Sequence, residues 1–392
     1  MQHGGRVWVG MTLGFLATAL MEPSLCAARG AGRHPAGEAP APAGADLYRS
    51  AIVMDADTGT VLFEKDPHRL NPPASMTKMM LMLIVAERVR DGGMHWDDPI
   101  TTSAWASKIG GSQVYLKQGE VFPLSEMMQA IAIHSANDAA VAVAEAVAGS
   151  SEAFVELMNQ RAKELGMHDT VYHSPHGLPP SKGQQADISS AHDMAIVARE
   201  LVKYPDVMKW SGTKEAPFRN GAMTLTNTNR LVRETGWVDG LKTGYYREAG
   251  FNVTATAKRD NLRLIAVVMG APQKHDCFSE AARLLTKGFG EYKELPAVKK
   301  GDVVANDVAV KGGKPHFVRV IAGDNLSVLA KRTEKRDFSV ELVLAGDMHA
   351  PLSANARVGD IIVKEGDTVV GKVPALAADA VEQQTSLWDR IF

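Results

Sequence analysis

Three short motifs in fixed order contain the residue types of an acyl-transfer site built around a serine. They are Ser75-Met76-Thr77-Lys78, Ser135-Ala136-Asn137 and Lys242-Thr243-Gly244. A serine hydroxyl becomes a good nucleophile only when a base removes its proton, and a lysine can be that base if burial or a second cation lowers its pKa. The motifs therefore predict Ser75 as nucleophile, Lys78 as base and Lys242 as the second cation.

Two of the patterns occur a second time, so the surrounding sequence has to decide between the copies. Ser211 and Lys214 repeat the first pattern, but no apolar helix follows them, and we expect a loop or an edge strand there. Ser353 and Asn355 repeat the second pattern in a Val-rich region after Pro351, where we expect a turn. Both second copies are therefore set aside.

The first motif opens a predicted buried helix. Ser75 follows Pro72-Pro73 and precedes an apolar run that continues to Arg90, where Asp91-Gly92-Gly93 ends it. Residues three apart share a helix face, so the Lys78 amine can reach the Ser75 hydroxyl. The helix start adds free N–H groups and the positive end of the dipole. The alternative for Lys78 is a side chain that extends along the helix into solvent.

The second motif lies between two predicted helices, Leu124 to His134 and Ala139 to Val147. A break at this point can present a hydroxyl and an amide to a cleft. We expect Ser135 to relay a proton and Asn137 to hold an amide group of the substrate. The alternative is that either residue only caps the following helix.

The third motif follows a strand-like run from Trp237 to Leu241, which places Lys242 at a strand end. Two further runs, 251–257 and 262–269, complete a predicted antiparallel meander. Lys242 and Thr243 could bind a carboxylate, and Gly244 would let a substrate backbone approach closely. The strand edge could also pair with an extended peptide. The alternative is a hairpin with a solvated lysine.

Taken together, the chain resembles the low-molecular-mass penicillin-binding proteins that act as D-alanyl-D-alanine carboxypeptidases. The resemblance rests on the three motifs and on the segments 51–59, 165–170, 176–178 and 238–244. It implies an α/β (α+β) catalytic domain of the penicillin-binding and serine β-lactamase type. In that fold an antiparallel sheet has helices on both sides, and a small all-β domain follows in this family.

The resemblance also implies a mechanism. The penultimate D-alanine of a peptidoglycan stem peptide would acylate Ser75, with Lys78 as general base and the terminal D-alanine leaving. Ser135 would pass a proton toward the leaving amine, and water would release the acyl group.

The same resemblance assigns the binding residues. Lys242 and Thr243 would hold the terminal carboxylate, while the backbone N–H groups of Ser75 and Tyr245 would form the oxyanion hole. β-Lactams, which imitate D-Ala-D-Ala, would acylate the same serine. Two positions depart from the usual pattern: Tyr245 stands where relatives often have a histidine, and Lys274 lies near an expected arginine that it could replace.

Three rival functions stay open at this level. A serine β-lactamase would need a deacylating carboxylate in a Glu-x-x-Leu-Asn-like loop between the second and third motifs, and the sequence has none. A D,D-endopeptidase that cuts peptidoglycan crosslinks would use the same chemistry. A non-catalytic protein that only binds stem peptides would not need the serine and lysine pair.

The N-terminus predicts export. Arg6 precedes an apolar run from Val7 to Met21, followed by small residues, which is typical of a signal peptide over 1–28. A lipoprotein anchor at Cys26 is the alternative, although the preceding residues fit it poorly. Residues 29–45 are rich in Ala, Gly and Pro and predict a flexible leader. We therefore expect an exported enzyme on the periplasmic or cell-wall side, either free or peripheral on the outer face of the cytoplasmic membrane.

Composition and length complete the prediction. The chain has 392 residues, 45% of them hydrophobic, and a net charge of −2, which gives no basic excess for nucleic acid. We expect a catalytic domain over 46–292 and a β-rich domain over 295–374, with turns at Gly-Asp pairs 301–302, 323–324, 346–347, 359–360 and 366–367. Residues 375–392 predict an amphipathic helix that either contacts a membrane or packs on the β domain. We expect no cofactor and no metal, since no His-Glu-x-x-His pattern occurs.

Overall fold

The computed structural model describes strand β1 (Val7–Trp8) and residues 47–384. The chain divides into two compact units. The first is Pro42–Glu291, here the N-terminal unit, and the second joins Tyr292–Phe392 to Met1–Ala41, here the C-terminal unit. Apart from β1, the predicted signal peptide and the leader up to residue 45 lie outside the described residues.

The N-terminal unit is built on a five-stranded antiparallel sheet with the order β3-β2-β10-β9-β8. Two short antiparallel pairs, β4 with β5 and β6 with β7, lie outside this sheet. The strands are β2 Ser50–Asp55, β3 Val61–Lys65, β4 Pro99–Thr101, β5 Val121–Pro123, β6 Glu215–Phe218, β7 Met223–Thr226, β8 Val238–Tyr246, β9 Gly250–Arg259 and β10 Leu262–Ala271. The meander of the last three strands was predicted and is confirmed. β8 forms one edge of the sheet.

Helices cover the sheet on both sides. They are α1 Lys78–Arg90, α2 Leu124–Gln129, α3 Asn137–Ala148, α4 Ser151–Glu164, α5 Ala191–Leu201, α6 Pro205–Ser211, α7 Arg230–Thr235 and α8 Lys274–Glu291. Shorter helical turns occupy Ala74–Thr77, Ala106–Lys108 and, as a π-helix, Ala130–His134.

The two faces of the sheet follow from side-chain alternation along β10. Ile265 and Val267 belong to the large apolar core that contains the first nine residues of α1, apart from Lys78, and one side of α5. Leu264 points to the other face of the sheet and lies against Gly288 of α8. A Cβ added to Gly288 would lie 2.7 Å from the Leu264 side chain. Because α1 is buried on all sides as far as Ala86, its sequence shows no amphipathic period.

The C-terminal unit is β-rich. Its seven-stranded sheet has the order β1-β16-β18-β19-β14-β12-β17, and two small ladders pair β11 with β15 and β13 with β20. The strands are β11 Tyr292–Val298, β12 Val303–Lys311, β13 Gly313–Lys314, β14 Phe317–Ala322, β15 Leu326–Lys331, β16 Ser339–Leu344, β17 Met348–His349, β18 Arg357–Glu365, β19 Thr368–Ala377 and β20 Glu382–Gln383. The predicted fold class, an antiparallel sheet flanked by helices and followed by a β-rich region, is confirmed.

Two predictions for this unit were wrong. Gly359-Asp360 lies inside β18 and not in a turn, because a Cβ on Gly359 would stand 2.1 Å from the Val343 carbonyl oxygen of the paired strand. The other four Gly-Asp pairs do connect strands. The helix expected from residue 375 is not formed over 375–384, since β19 continues to Ala377 and β20 follows; residues 385–392 lie outside the described range.

Among the helices described, none has the length and apolar content to span a membrane.

Candidate active site

Ser75 lies at the start of the buried helix, as predicted. It belongs to the short 3₁₀ helix Ala74–Thr77, here called the catalytic turn, which leads directly into α1 at Lys78. N–H groups in the first turn of a helix have no partner within it. The N–H of the half-buried Ser75, at this helix start, is therefore a candidate donor for a substrate oxygen.

Two glycines lie close to the backbone of this turn. A Cβ on Gly177 would come within 2.0 Å of the Ala74 carbonyl oxygen, and a Cβ on Gly244 within 2.2 Å of the Pro73 carbonyl oxygen. Each would also lie 3.0 Å from the Ser75 nitrogen. The backbones of the 176–178 segment and of β8 thus approach the nucleophile closely, which only residues without a Cβ allow.

Lys78 is fully buried and makes three hydrogen bonds. Its Nζ lies 2.7 Å from Asn137 Oδ1, 2.6 Å from the His176 carbonyl oxygen and 3.0 Å from Ser75 Oγ. The first two partners are oxygens that only accept. A neutral amine would give its two N–H groups to them and keep its lone pair for the Ser75 hydroxyl.

The surroundings of the two buried lysines favour the neutral form of Lys78. Burial lowers the pKa of Lys78 well below its ordinary value, and the nearby Lys242 lowers it further. The carboxylates of Asp187 and Asp138 oppose this by raising the pKa of Lys78. Burial also lowers the pKa of Lys242, to about 7.

The second motif is the predicted break between helices. The π-helix Ala130–His134 ends at Ser135, which has a φ of 64° in the left-handed region, and α3 begins at Asn137. Asn137 uses both ends of its amide within the protein: Oδ1 accepts from Lys78, and Nδ2 donates to the Gly110 carbonyl at 2.7 Å. The side chain that was predicted to hold a substrate amide thus also contacts Lys78, the predicted base.

Lys242 connects the third motif to the second. Its Nζ donates to Ser135 Oγ at 2.8 Å and to the Thr243 carbonyl at 3.2 Å, and its side chain is only 1% exposed. The prediction that Lys242 lies at a strand end was wrong, because Lys242 is the fifth of the nine residues of β8. The solvated lysine of the alternative hairpin is excluded by the burial.

Thr243, Gly244 and Tyr245 continue along the edge strand. The Thr243 hydroxyl bonds to that of Thr228 at 2.8 Å. The Tyr245 side chain is 56% exposed and stacks on Phe251, with ring centroids 4.1 Å apart. The predicted oxyanion-hole role of Tyr245 uses its backbone N–H and would not depend on this side chain.

The sequence interpretation did not identify two further positions that the structure places next to Ser75 and Lys78. The His176 carbonyl binds Lys78, and Asp187 is a buried carboxylate beside the catalytic turn. Burial and Lys78 lower the pKa of the His176 imidazole to about 3, so this ring is neutral, and its Nδ1 accepts from the Leu178 N–H at 3.1 Å. The motif 176–178 was visible in the sequence, but no pattern pointed to Asp187.

The second copies of the motifs lie elsewhere. Ser211 is the last residue of α6, fully buried, and Lys214 is exposed, so that the loop or edge strand predicted for Ser211 is a helix end. Ser353 to Asn355 form a turn, as predicted, and Asn355 has a positive φ. Lys274 is the exposed first residue of α8. Within the described residues, no group of three or more His, Cys, Asp or Glu is placed to hold a metal ion.

Comparisons with known proteins match this architecture. The family model described as D-alanyl-D-alanine carboxypeptidase covers residues 40–273, and that of the penicillin-binding protein 5 C-terminal domain covers 292–383. D-alanyl-D-alanine carboxypeptidase DacF of Bacillus subtilis is 38% identical over 339 residues, which are 86% of either chain.

Solved structures agree with these matches. A peptidoglycan synthesis regulatory factor, PBP3, from Streptococcus pneumoniae has a TM-score of 0.73 at 27% identity and covers 86% of this chain and 99% of its own. Penicillin-binding protein D2 from Listeria monocytogenes, solved in an ampicillin-bound form, has a TM-score of 0.57 at 27% identity and covers 64% of this chain and 100% of its own.

Proposed function

This chain belongs to the D-alanyl-D-alanine carboxypeptidase family and is a serine-type hydrolase of that class, and we propose that it works through an acyl-enzyme on Ser75. The substrate is a peptidoglycan stem peptide ending in D-Ala-D-Ala. The observation that carries the assignment of the nucleophile is the hydrogen-bond pattern of Lys78. Its two acceptor partners leave the amine lone pair for the Ser75 hydroxyl.

Acylation follows from this arrangement. Ser75 Oγ attacks the carbonyl carbon of the penultimate D-alanine while its proton passes to Lys78 Nζ. The carbonyl oxygen becomes an oxyanion that the N–H groups of Ser75 and Tyr245 stabilise, a type of contribution worth about 3 kcal/mol per donor. The peptide C–N bond then breaks, and the leaving amine takes the proton that Lys78 received, passed on through Ser135, whose hydroxyl accepts from Lys242. Lys78 is thereby neutral again.

Deacylation reverses the roles of the same groups. A water molecule attacks the ester carbonyl, Lys78 accepts its proton, and the Ser75 oxygen leaves as it regains a proton. Lys242 and Thr243 hold the terminal carboxylate during acylation, and the peptide lies along the free edge of β8. β-Lactams would enter the same reaction, as the ampicillin-bound relative supports.

The assignment is tested by releasing D-alanine from diacetyl-Lys-D-Ala-D-Ala. We expect release that a β-lactam blocks, loss of both release and fluorescent-penicillin labelling in Ser75→Ala, and normal labelling in the control Ser211→Ala. Retained labelling in Ser75→Ala would move the nucleophile elsewhere. Stable labelling without release would point to crosslinked muropeptides as substrate, and so to the endopeptidase alternative.

We also propose export to the peptidoglycan side of the cytoplasmic membrane. The charged residue and apolar run at the N-terminus support it. Peripheral membrane contact through residues 385–392 is a further proposal, supported by the four apolar residues Leu387, Trp388, Ile391 and Phe392. Deleting 385–392 should lower the membrane-bound fraction of the exported enzyme; an unchanged fraction would remove this proposal.

A further inference from the structure

Asp187 is a buried carboxylate at the base of the catalytic turn. It is 5% exposed and accepts four hydrogen bonds: two from the backbone N–H groups of His173 and Ser174, at 2.6 and 2.9 Å, and two from the hydroxyls of Ser174 and Thr77, at 2.9 and 3.0 Å. Thr77 immediately precedes Lys78. One carboxylate therefore ties the start of α1 to both ends of residues 173–187, here the 173–187 segment.

The same network continues to the general base. The Ser174 hydroxyl, held by Asp187, accepts from the Gly177 N–H at 2.8 Å. Between these two residues lies His176, whose carbonyl oxygen is 2.6 Å from Lys78 Nζ. Asp187 thus fixes the short stretch of backbone that supplies one of the two acceptors for Lys78.

Asp187 also acts on Lys78, the proposed base, through its negative charge. The titratable groups around Lys78 are Lys242 on β8, Asp138 on α3, and His176 and Asp187 on the 173–187 segment. Lys242 lowers the pKa of Lys78, whereas Asp187 and Asp138 raise it, Asp187 more than Asp138. Burial raises the pKa of Asp187 itself, and its four hydrogen bonds act against that rise.

We propose that Asp187 is a positioning residue for the acyl transfer, which fixes the 173–187 segment against the catalytic turn and places a negative charge beside the general base. This inference rests on the proposed role of Lys78. Removal of the charge should favour the neutral amine at lower pH. Removal of the acceptor atoms should also displace the His176 carbonyl.

Asp187→Asn separates charge from position. The oxygen that faces the His173 and Ser174 N–H groups is retained. The new NH₂ group can donate to the two hydroxyls of Thr77 and Ser174, which rotate to accept. Ser174 Oγ has a second lone pair for the Gly177 N–H. All contacts of the network are thereby kept while the charge is lost.

Asp193→Asn is the matched control. Asp193 is likewise a buried carboxylate, 1% exposed, but its Oδ2 accepts from the Asp169 N–H at 2.8 Å and from the Thr170 hydroxyl at 2.7 Å, and its Oδ1 lies 3.3 Å from His192 Nδ1. It binds neither the catalytic turn nor the 173–187 segment. The control shows what the loss of any buried carboxylate does to the enzyme.

The test is the pH dependence of the second-order rate of Ser75 labelling by a fluorescent penicillin, together with the melting temperature. In Asp187→Asn we expect the acid limb to move to lower pH, because the free enzyme then needs less alkaline conditions to make Lys78 neutral. In Asp193→Asn the acid limb should stay in place. Asp187→Ala, which also loses the acceptors, should label about 100-fold more slowly at every pH.

An acid limb that does not move in folded Asp187→Asn would overturn the inference and leave the proposed function intact. So would a shift of equal size in Asp193→Asn. By contrast, wild-type protein that is not labelled at Ser75 would reject the proposed function itself. The two failures are therefore distinguishable within one experiment.

Discussion

Replacing Gly244 by alanine should separate the edge strand from the nucleophile. The added Cβ would lie 2.2 Å from the Pro73 carbonyl oxygen, whereas ordinary contacts begin at 3.4 Å, so that the two backbones must part by about 1.2 Å. A displacement of about 1 Å in an active site costs roughly 100-fold in rate. We therefore expect Gly244→Ala to slow Ser75 acylation by about two orders of magnitude.

The assay is the rate of labelling by a fluorescent penicillin, with the melting temperature as a check on folding. Gly290→Ala is the matched control, because nothing lies within 4 Å of its added Cβ and its φ is not in the left-handed region. It should be labelled at the wild-type rate. Overpacking at Gly244 costs about 1 to 3 kcal/mol, which leaves the protein folded. Wild-type labelling of Gly244→Ala would refute the close approach.

Three further outcomes follow from the site. Because burial lowers the pKa of Lys242 to about 7, its cation is lost as pH rises through that value; KM for a peptide with a free carboxylate should then rise, and a flat KM would contradict the carboxylate role. Asp138→Asn should destabilise the fold by about 1 to 3 kcal/mol in urea unfolding, since an amide has one acceptor oxygen and cannot accept from both the Leu116 N–H, now on Oδ2, and the Ala139 N–H, now on Oδ1. Tyr245→Ala should acylate within about threefold of wild type, because its N–H remains; a large loss would assign a role to the exposed ring.

The sequence predicted the parts of the site that depend on local patterns. Ser75 and Lys78 lie three residues apart on a helix start, and such a pair meets whatever else the chain does. The break at Ser135 was equally local. Both predictions were confirmed because they depend only on local helix geometry. It brings Ser75 and Lys78 onto one face, and it places the break between two helices at Ser135.

Other features depend on contacts between distant segments, and the sequence did not reveal them. Polar residues at 242–243 indicated a strand end, yet β8 continues because Tyr245 and Tyr246 remain paired with β9. An aspartate in a loop is usually solvated, so nothing marked Asp187 before Thr77, 110 residues away, was found to donate to it. Likewise Gly359 appeared to be a turn residue until the Val343 carbonyl was seen beside it.

The two buried lysines also suggest an order of events in the reaction. Free Lys242, with a pKa of about 7, is only partly charged at neutral pH. An arriving substrate carboxylate would favour its cation, since an opposite charge raises the pKa of a lysine. A fully charged Lys242 would in turn lower the pKa of Lys78 further, which favours the neutral base. Substrate binding at one lysine would thus prepare the other, and the carboxylate of Asp187 would limit how far that effect goes.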